Sequence, residues 1–249
     1  MDQGIYTAAS GAIAMEERLN VISHNIANVN TVGYKKDHIL YREFTKILDT
    51  SMLAQGQYRV IPVDVVATRP TVDLTQGVSM KTDNPLDVAI NGEGFFVVMT
   101  EDGSRYTRAG SFMISEDNNL VTPQGHRVQG KGGDITIDTT TGDGQVVIGP
   151  DGRISYDGTE VDSLQVVNIP AEALVRAGGN LFAVRDGHVP DPVENPSVSQ
   201  GYLERANVEP VTEMVELITT QRAYEAYQRM IRSINDAYSN SIRNVGAVS

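Results

Sequence analysis

The sequence predicts an α+β protein with a discontinuous plan: long N- and C-terminal helices forming a coiled-coil-like stem, with an all-β domain inserted between them. Three observations carry this. An apolar seam at helical spacing opens the chain, and a second one closes it. All ten prolines and 18 of the 23 glycines lie between Pro62 and Pro210. Between those limits the pattern is short β-branched and aromatic runs cut by Asp-Gly steps.

The first seam is Ile5, Ala8, Ala12, Met15, Leu19, Ile22, Ile26 and Val29, spaced 3, 4, 3, 4, 3, 4, 3, with Asp2, Glu16, Glu17, Arg18 and Asn20 kept off it. Apolar positions repeating this way form the a/d stripe by which one helix packs on another. A helix over these 25 positions would be roughly 36 Å long at ~1.5 Å per residue. It contains no proline and stops at Gly33, a residue suited to the left-handed position past a helix end. The stem helix is therefore placed at 1–33 and a connecting segment at 34–75. Within that segment Tyr34 to about Val60 reads as partly helical or extended.

The inserted all-β domain is placed at 76–205. Its expected strands are Asp87–Ile90, Phe95–Met99, Arg105–Arg108, Phe112–Ser115, Arg127–Gln129, Asp134–Ile137, Val146–Ile148, Arg153–Tyr156, Leu164–Ile169 and Leu181–Val184. Glu101-Asp102-Gly103, Asp117-Asn118-Asn119, Asp151-Gly152, Asp157-Gly158 and Asp186-Gly187 separate them. Asp-Gly is a hairpin signal because both central residues of a type I′ turn need positive φ.

The C-terminal stem helix occupies 206–249, with Pro210 at its start, where proline is tolerated. Its stripe is Tyr224, Tyr227, Ile231, Ile234 and Tyr238, preceded by Met214, Leu217 and Ile218. A lone amphipathic helix is marginal in water. The two ends supply each other's partner.

Charge sharpens this division. Residues 1–61 hold six basic and six acidic side chains and residues 211–249 hold four of each, so the surplus of 22 acidic over 10 basic falls in 62–210. Neutral ends can approach copies of themselves, while the acidic middle stays solvated. No basic stripe is present for nucleic acid or for an anionic membrane surface. The uncharged run from Gln3 to Met15 is too short to span a bilayer, which needs about 20 residues. No cleavable signal peptide is visible either, since Glu16-Glu17-Arg18 interrupts any apolar core. The absence of cysteine excludes disulfides, thiolate metal sites and thiol catalysis.

The sequence points to no catalytic residue, cofactor site or metal site. His24, His38, His126 and His188 are scattered without a metal-binding spacing. Gly92-Glu93-Gly94-Phe95-Phe96 lacks the third glycine of a dinucleotide fingerprint and runs into a strand instead of a helix.

The stretch His24 to Lys35 bears two readings. As a helix C-terminus, Asn30 and Gly33 serve the cap and Lys35-Lys36 complement the helix dipole. That leaves Asn25 and Asn28, at i and i+3 beside the seam, without a purpose. Buried amides are costly unless hydrogen bonded, and such groups fix register between helices. We read the stretch as a cap that also sets register between subunits, with Asn25, Asn28, Thr31, Gly33 and Tyr34 as the assembly motif.

Asn25-x-Ala27-Asn28-x-x-Thr31-x-Gly33-Tyr34-Lys35 resembles the N-terminal signature of the bacterial flagellar axial family of rod and hook proteins. Thr82 to Phe96 is similar to that family's central motif, and Tyr106-Thr107-Arg108-Ala109-Gly110-Ser111-Phe112 to the run after it. Gly201 to Val215 and Gln221-Arg222-Ala223-Tyr224-Glu225 are similar to its C-terminal motif, except that Ala206 stands where serine is usual. The opening Met1-Asp2-x-x-Ile5-Tyr6-Thr7-Ala8-Ala9-Ser10-Gly11 resembles the proximal rod branch, whereas Thr220 to Glu225 is equally typical of the distal rod branch.

The resemblance implies a non-enzymatic subunit of the flagellar rod. Its paired terminal helices would build an inner tube of a helical assembly that transmits torque from motor to hook. It also implies export through the flagellar type III gate and a location in the periplasm-spanning rod of the basal body. The partners implied are other proximal rod proteins, the distal rod protein and the export gate, with self-association as a further expectation. Ile5, Met15, Leu19, Ile22, Ile26, Met214, Leu217, Gln221, Arg222, Tyr224, Tyr227, Ile231 and Ile234 are then the assembly helices, with some tyrosines expected to touch neighbouring subunits. Phe44 and Leu48, apolar and four residues apart, are similar to a pair read by the export gate in related subunits; buried helix residues are the competing reading. The rival class is a secreted β-domain binding module that its terminal helices merely oligomerise. It predicts a closed small oligomer and a ligand pocket.

Overall fold

A computed structural model describes residues 2–39, 41–44, 64–67, 70–138 and 144–246, with side chains over 4–39, 70–138 and 144–240. The fold is α+β, with two long helices and many antiparallel strands. The chain divides into two compact units. One comprises 1–26, 37–71 and 209–249; the other comprises 27–36 and 72–208.

The first unit contains the two helices, α1 (Asp2–Ala27) and α2 (Pro210–Gly246). They run side by side and antiparallel, as four pairs along their length show. Gly4 faces Ile234, Gly11 faces the Tyr227 ring, Arg18 pairs with Glu216 at 3.4 Å, and Asn25 bonds Glu213 at 3.3 Å. A Cβ at Gly11 would sit 2.6 Å from Tyr227 Cε1, so the aromatic ring fits only because that position lacks a side chain. On α1, Ala8, Ala12 and Ile22 are buried and Ile5, Met15, Leu19 and Ile26 are half-buried. On α2 the shielded line is Glu213, Leu217, Thr220, Tyr224, Tyr227, Ile231, Ile234 and Tyr238, spaced 4, 3, 4, 3, 4, 3, 4. This unit also holds an antiparallel pair, Tyr41–Phe44 with Asp64–Ala67.

The second unit is built on a large antiparallel sheet. Its strand order is Leu174–Gly178, Leu181–Val184, Gly103–Thr107, Phe95–Thr100, Arg127–Gly130, Leu120–Val121 and Met113–Ile114, with Val166–Asn168 also on Phe95–Thr100. Phe95-Phe96-Val97-Val98 is buried on every residue because apolar layers cover both faces of this strand. Phe96 and Val98 point into one core, with Phe112, Leu120, Ile154 and Leu164. Phe95 and Val97 point into the other, with Ile169, Leu174 and Phe182. Edge-on ring pairs, Phe96 on Phe112 at 5.2 Å and Phe95 on Phe182 at 5.6 Å, mark the two cores.

A three-stranded sheet, Val146–Ile148, Arg153–Tyr156 and Thr159–Ser163, adds Ile148, Ile154 and Tyr156 to the first core. Of the four Asp-Gly steps named above, only Asp157-Gly158 takes positive φ at both residues, 48° and 78°, as a type I′ turn requires. At Asp102-Gly103, Asp151-Gly152 and Asp186-Gly187 only the glycine does. Two further pairs close the unit: Val198–Gln200 on Val88–Ile90, and Tyr202–Glu204 on Ser79–Lys81.

The expected strand Asp134–Ile137 shrinks to Gly133–Asp134. Beyond it Ile135 and Ile137 still bury their side chains, and they hold Leu120 and Asn118 through main-chain bonds. Among the described residues of 76–205, seven strands escaped the sequence reading: Ser79–Lys81, Leu120–Val121, Thr159–Ser163, Leu174–Gly178, Asp191–Pro192, Val198–Gln200 and Tyr202–Glu204.

Candidate functional site

The site grows out of the turn that follows α1. Asn28 O accepts Thr31 N at 3.0 Å, and the Thr31 hydroxyl donates to Asn28 Oδ1 at 3.2 Å. This local closure leads to Gly33, at φ +66°. A Cβ there would lie 2.3 Å from Ala109 N and 2.4 Å from Arg108 C. Glycine is thus demanded twice, by the left-handed backbone and by contact with the main chain of 108–109. Gly33 N donates to Glu204 O at 2.7 Å. A second bare approach lies nearby, since a Cβ on Gly110 would meet Val88 O at 1.7 Å.

Tyr34 and Lys35 are then carried inward. Tyr34 is buried beneath the Arg176 guanidinium, 4.7 Å from its ring centre, and Arg176 also donates to Lys35 O. Lys35 is fully buried. Its ammonium donates to Glu204 Oε1 at 2.6 Å and to Thr75 O at 2.7 Å. The other carboxylate oxygen of Glu204 accepts Arg108 Nη1 at 3.1 Å, and Arg108 Nη2 donates to Gly92 O at 2.7 Å. Gly77 N completes the carboxylate at 2.8 Å.

The side chains of Lys35, Glu204 and Arg108 are 1%, 1% and 3% exposed. Burial pulls Lys35 and Arg108 below their ordinary pKa values, and the Glu204 carboxylate opposes the fall in both. Asn207 ties the same place together, accepting Lys36 N at 2.7 Å while donating to Asp73 O at 3.0 Å and Thr75 O at 3.1 Å.

The cap reading gives Lys35, with Lys36, the role of complementing the helix dipole. Lys35 is instead the buried end of an ion triad, because a carboxylate and two carbonyls wait for it inside the sheet unit. Three stretches far apart in sequence, Gly33-Tyr34-Lys35, Thr107-Arg108-Ala109-Gly110 and Leu203-Glu204, converge here. Each contributes one buried charge. That single charge per motif was the available signal, and nothing local said the charges would meet.

In the helical unit Asn25 is 1% exposed and wholly engaged. Its Oδ1 accepts Asp37 N at 3.0 Å, and its Nδ2 donates to Asp37 O at 3.1 Å and Glu213 Oε2 at 3.3 Å. These bonds lie within one chain. The tyrosines Tyr224 and Tyr227, with Leu217, Ile231 and Ile234, sit half-buried on the line of α2 that faces α1.

Met214 is 52% exposed and does not share that line, and Gln221 and Arg222 are exposed too. Met214 belongs to another stripe with Val211, Val215 and Ile218, all at least half exposed. At ~100° per residue this stripe lies roughly 140° around the helix from the first. Phe44 ends the strand Tyr41–Phe44, while Leu48 lies outside the described residues. Among the described residues no cluster of His, Cys, Asp and Glu has a metal-holding arrangement, and no helix is long and apolar enough to cross a membrane.

Comparison with known proteins adds the following. A family described as "Flagella basal body rod protein" matches residues 5–35. "Flagellar hook protein FlgE/F/G D1 domain" matches 89–156, and "Flagellar basal body rod FlgEFG protein C-terminal" matches 199–244. The chain is 34% identical to the flagellar basal-body rod protein FlgF of Caulobacter vibrioides over the full length of both. It is 36% identical to the flagellar basal-body rod protein FlgG of Agrobacterium fabrum, over 96% of this chain and 97% of that one. Identity to the FlgF of Mesorhizobium japonicum is 31%, again over the whole of both chains.

Proposed function

This chain belongs to the family of flagellar basal-body rod proteins, and from that premise we propose that it is the proximal-rod member, built into a helical assembly through its terminal helices. It is a structural, non-catalytic subunit of the rod. The observation that carries the assembly reading is the pair of apolar lines on α2. One is covered by α1, and the other, Val211, Met214, Val215 and Ile218, stands open. A helix that has already found its in-chain partner and still presents a second apolar stripe is suited to a neighbour.

In this reading α1 and α2 form a coiled-coil-like stem and the intervening strands an inserted all-β domain. The neighbours are other proximal rod proteins and the distal rod protein, and torque passes through the close-packed helices. The proximal assignment is supported by the opening segment and by FlgF relatives that align from end to end. A distal position is the second reading, favoured by the 36% identity to a FlgG.

A photo-crosslinker placed at Met214 in isolated basal bodies separates these, with the attached chains identified by mass spectrometry. Adducts to another proximal rod protein and to the distal rod protein are expected. Adducts only to itself or to hook-side proteins move the chain to the distal rod, and no adduct at all removes the assembly face.

Delivery through the flagellar type III export gate belongs to the same proposal, with Phe44 and Leu48 as the pair the gate reads. The double variant Phe44→Ala/Leu48→Ala should lose secretion into the medium while its synthesis is unchanged. Normal secretion rejects that role.

A further inference from the structure

We propose that Glu204 is the completion switch of the sheet unit: among the described residues it supplies the only hydrogen-bonded carboxylate between two buried cations, so the unit closes only when the last strand arrives. The two packed apolar clusters are complete before that point. Their buried members end at Val198 in one and Phe182 in the other. A chain folded as far as residue 198 would hold both clusters and lack only the buried apolar side chains Leu203 and Val208, yet would have to bury Lys35 and Arg108 together with no counter-ion bonded to either.

The remaining hydrogen-bond partners of the two cations are carbonyls, Leu74 and Thr75 for Lys35 and Gly92 for Arg108, which also lies over the Phe95 ring at 5.4 Å. Asp73 and Glu93 act on them only through space. Leaving a buried charge without its partner is among the costliest single defects a fold can carry. Arg108 cannot escape by losing its proton.

Glu204 cures both defects at once, with Oε1 on Lys35 and Oε2 on Arg108. It does so from Tyr202–Glu204, the final strand, which pairs with Ser79–Lys81. Its main-chain oxygen meanwhile takes Gly33 N, so the arriving strand also fixes the segment that carries Lys35. If the chain is delivered N-terminus first, the sheet unit stays open until nearly all of it has emerged. The need for a carboxylate between the two cations is the same whether or not the chain is exported.

The test is refolding and thermal melting of the full-length chain, monitored on the sheet unit. The variants are Glu204→Gln, Lys35→Met/Glu204→Gln and Lys35→Met/Arg108→Met/Glu204→Gln. Glu204→Gln reproduces the state before the last strand supplies its charge, and should melt at least ~6 °C lower and refold at least tenfold more slowly. Removing the stranded cations should restore the fold stepwise, so that the triple variant melts highest of the three. Where Glu204→Gln shows no transition at all, the same expectation is that the charge-removing variants regain one. If losses accumulate instead, leaving the triple variant lowest or equally unfolded, the cluster is ordinary packing and the switch is refuted. Because no export step enters the measurement, failure of the switch leaves the rod and export readings untouched, and the reverse holds as well.

Discussion

Replacing Gly33 by alanine tests the site at its tightest point. Two costs follow from the geometry. At φ +66° an L-residue occupies the left-handed region, at roughly 1–2 kcal/mol. The new Cβ would also fall 2.3 Å from Ala109 N and 2.4 Å from Arg108 C. Both are main-chain atoms, so no rotamer change relieves the clash and the backbone of one segment must move. Forced repacking of that kind costs about 1–3 kcal/mol. The sum is roughly 2–5 kcal/mol, which for a unit of this size lowers the melting temperature by about 5–15 °C.

Gly187→Ala is the control. It has φ +88° and no atom within 4 Å of the added Cβ, so it bears the backbone term alone. Urea titration of both variants against the parent, followed by circular dichroism, separates the terms. If Gly33→Ala costs no more than Gly187→Ala to within ~0.5 kcal/mol, the close approach of 33 to 108–109 is absent and the construction of the site fails.

The other predictions concern single groups. Burial lowers the Lys35 pKa from its ordinary 10.5, so the folded state gives up this proton before the unfolded chain does. Between the lowered value and 10.5 the unfolded chain binds more protons, and the Lys35 contribution to stability rises with pH. Subtracting the alkaline stability profile of Lys35→Met from that of the parent should leave this rise, and a flat or falling difference refutes it. Asn25→Ala removes three hydrogen bonds, two to the Asp37 main chain and one to Glu213. A loss of roughly 2–4 kcal/mol from the helical unit is expected; hydrogen exchange along α2 should report it, and unchanged protection would contradict the role. Met214→Asp places a charge on the open stripe and should leave melting within about 1 kcal/mol of the parent while abolishing rod assembly. A normal flagellum count in that variant removes the stripe from the interface.

The helices were legible because their signal is local. A seam spaced 3, 4, 3, 4 needs only the helix period, and the line shielded on α2 continues it through Glu213 and Thr220, two polar residues that periodicity of apolar types passes over. Met214 was grouped with that seam because it is apolar and near it; the helix turn places it on the other side. Among the strands, Val146–Ile148, Arg153–Tyr156 and Leu181–Val184 have the limits their β-branched and aromatic residues suggest. Thr159–Ser163 was hidden by Glu160 and Asp162, which an edge strand tolerates because its outer face meets water. Ser79–Lys81 is exposed throughout and becomes a strand only because Tyr202–Glu204, far along the chain, pairs with it. No window of the sequence contains that cause.

The same limit explains the site. A local reading gives Lys35 the nearest available purpose, a positive charge after a helix end, and that purpose is physically sound. What overrides it is a carboxylate 169 positions away. Gly33 looks like an ordinary cap residue for the same reason: a left-handed turn accounts for it fully until the backbone of 108–109 is found against it. The stretches carrying the family resemblance are therefore segments whose individual demands make sense only together, a bare glycine against a main chain and one charge against another. In the isolated sequence they read as three unrelated oddities. In the fold they are one object, with the Glu204 carboxylate between the Lys35 and Arg108 cations.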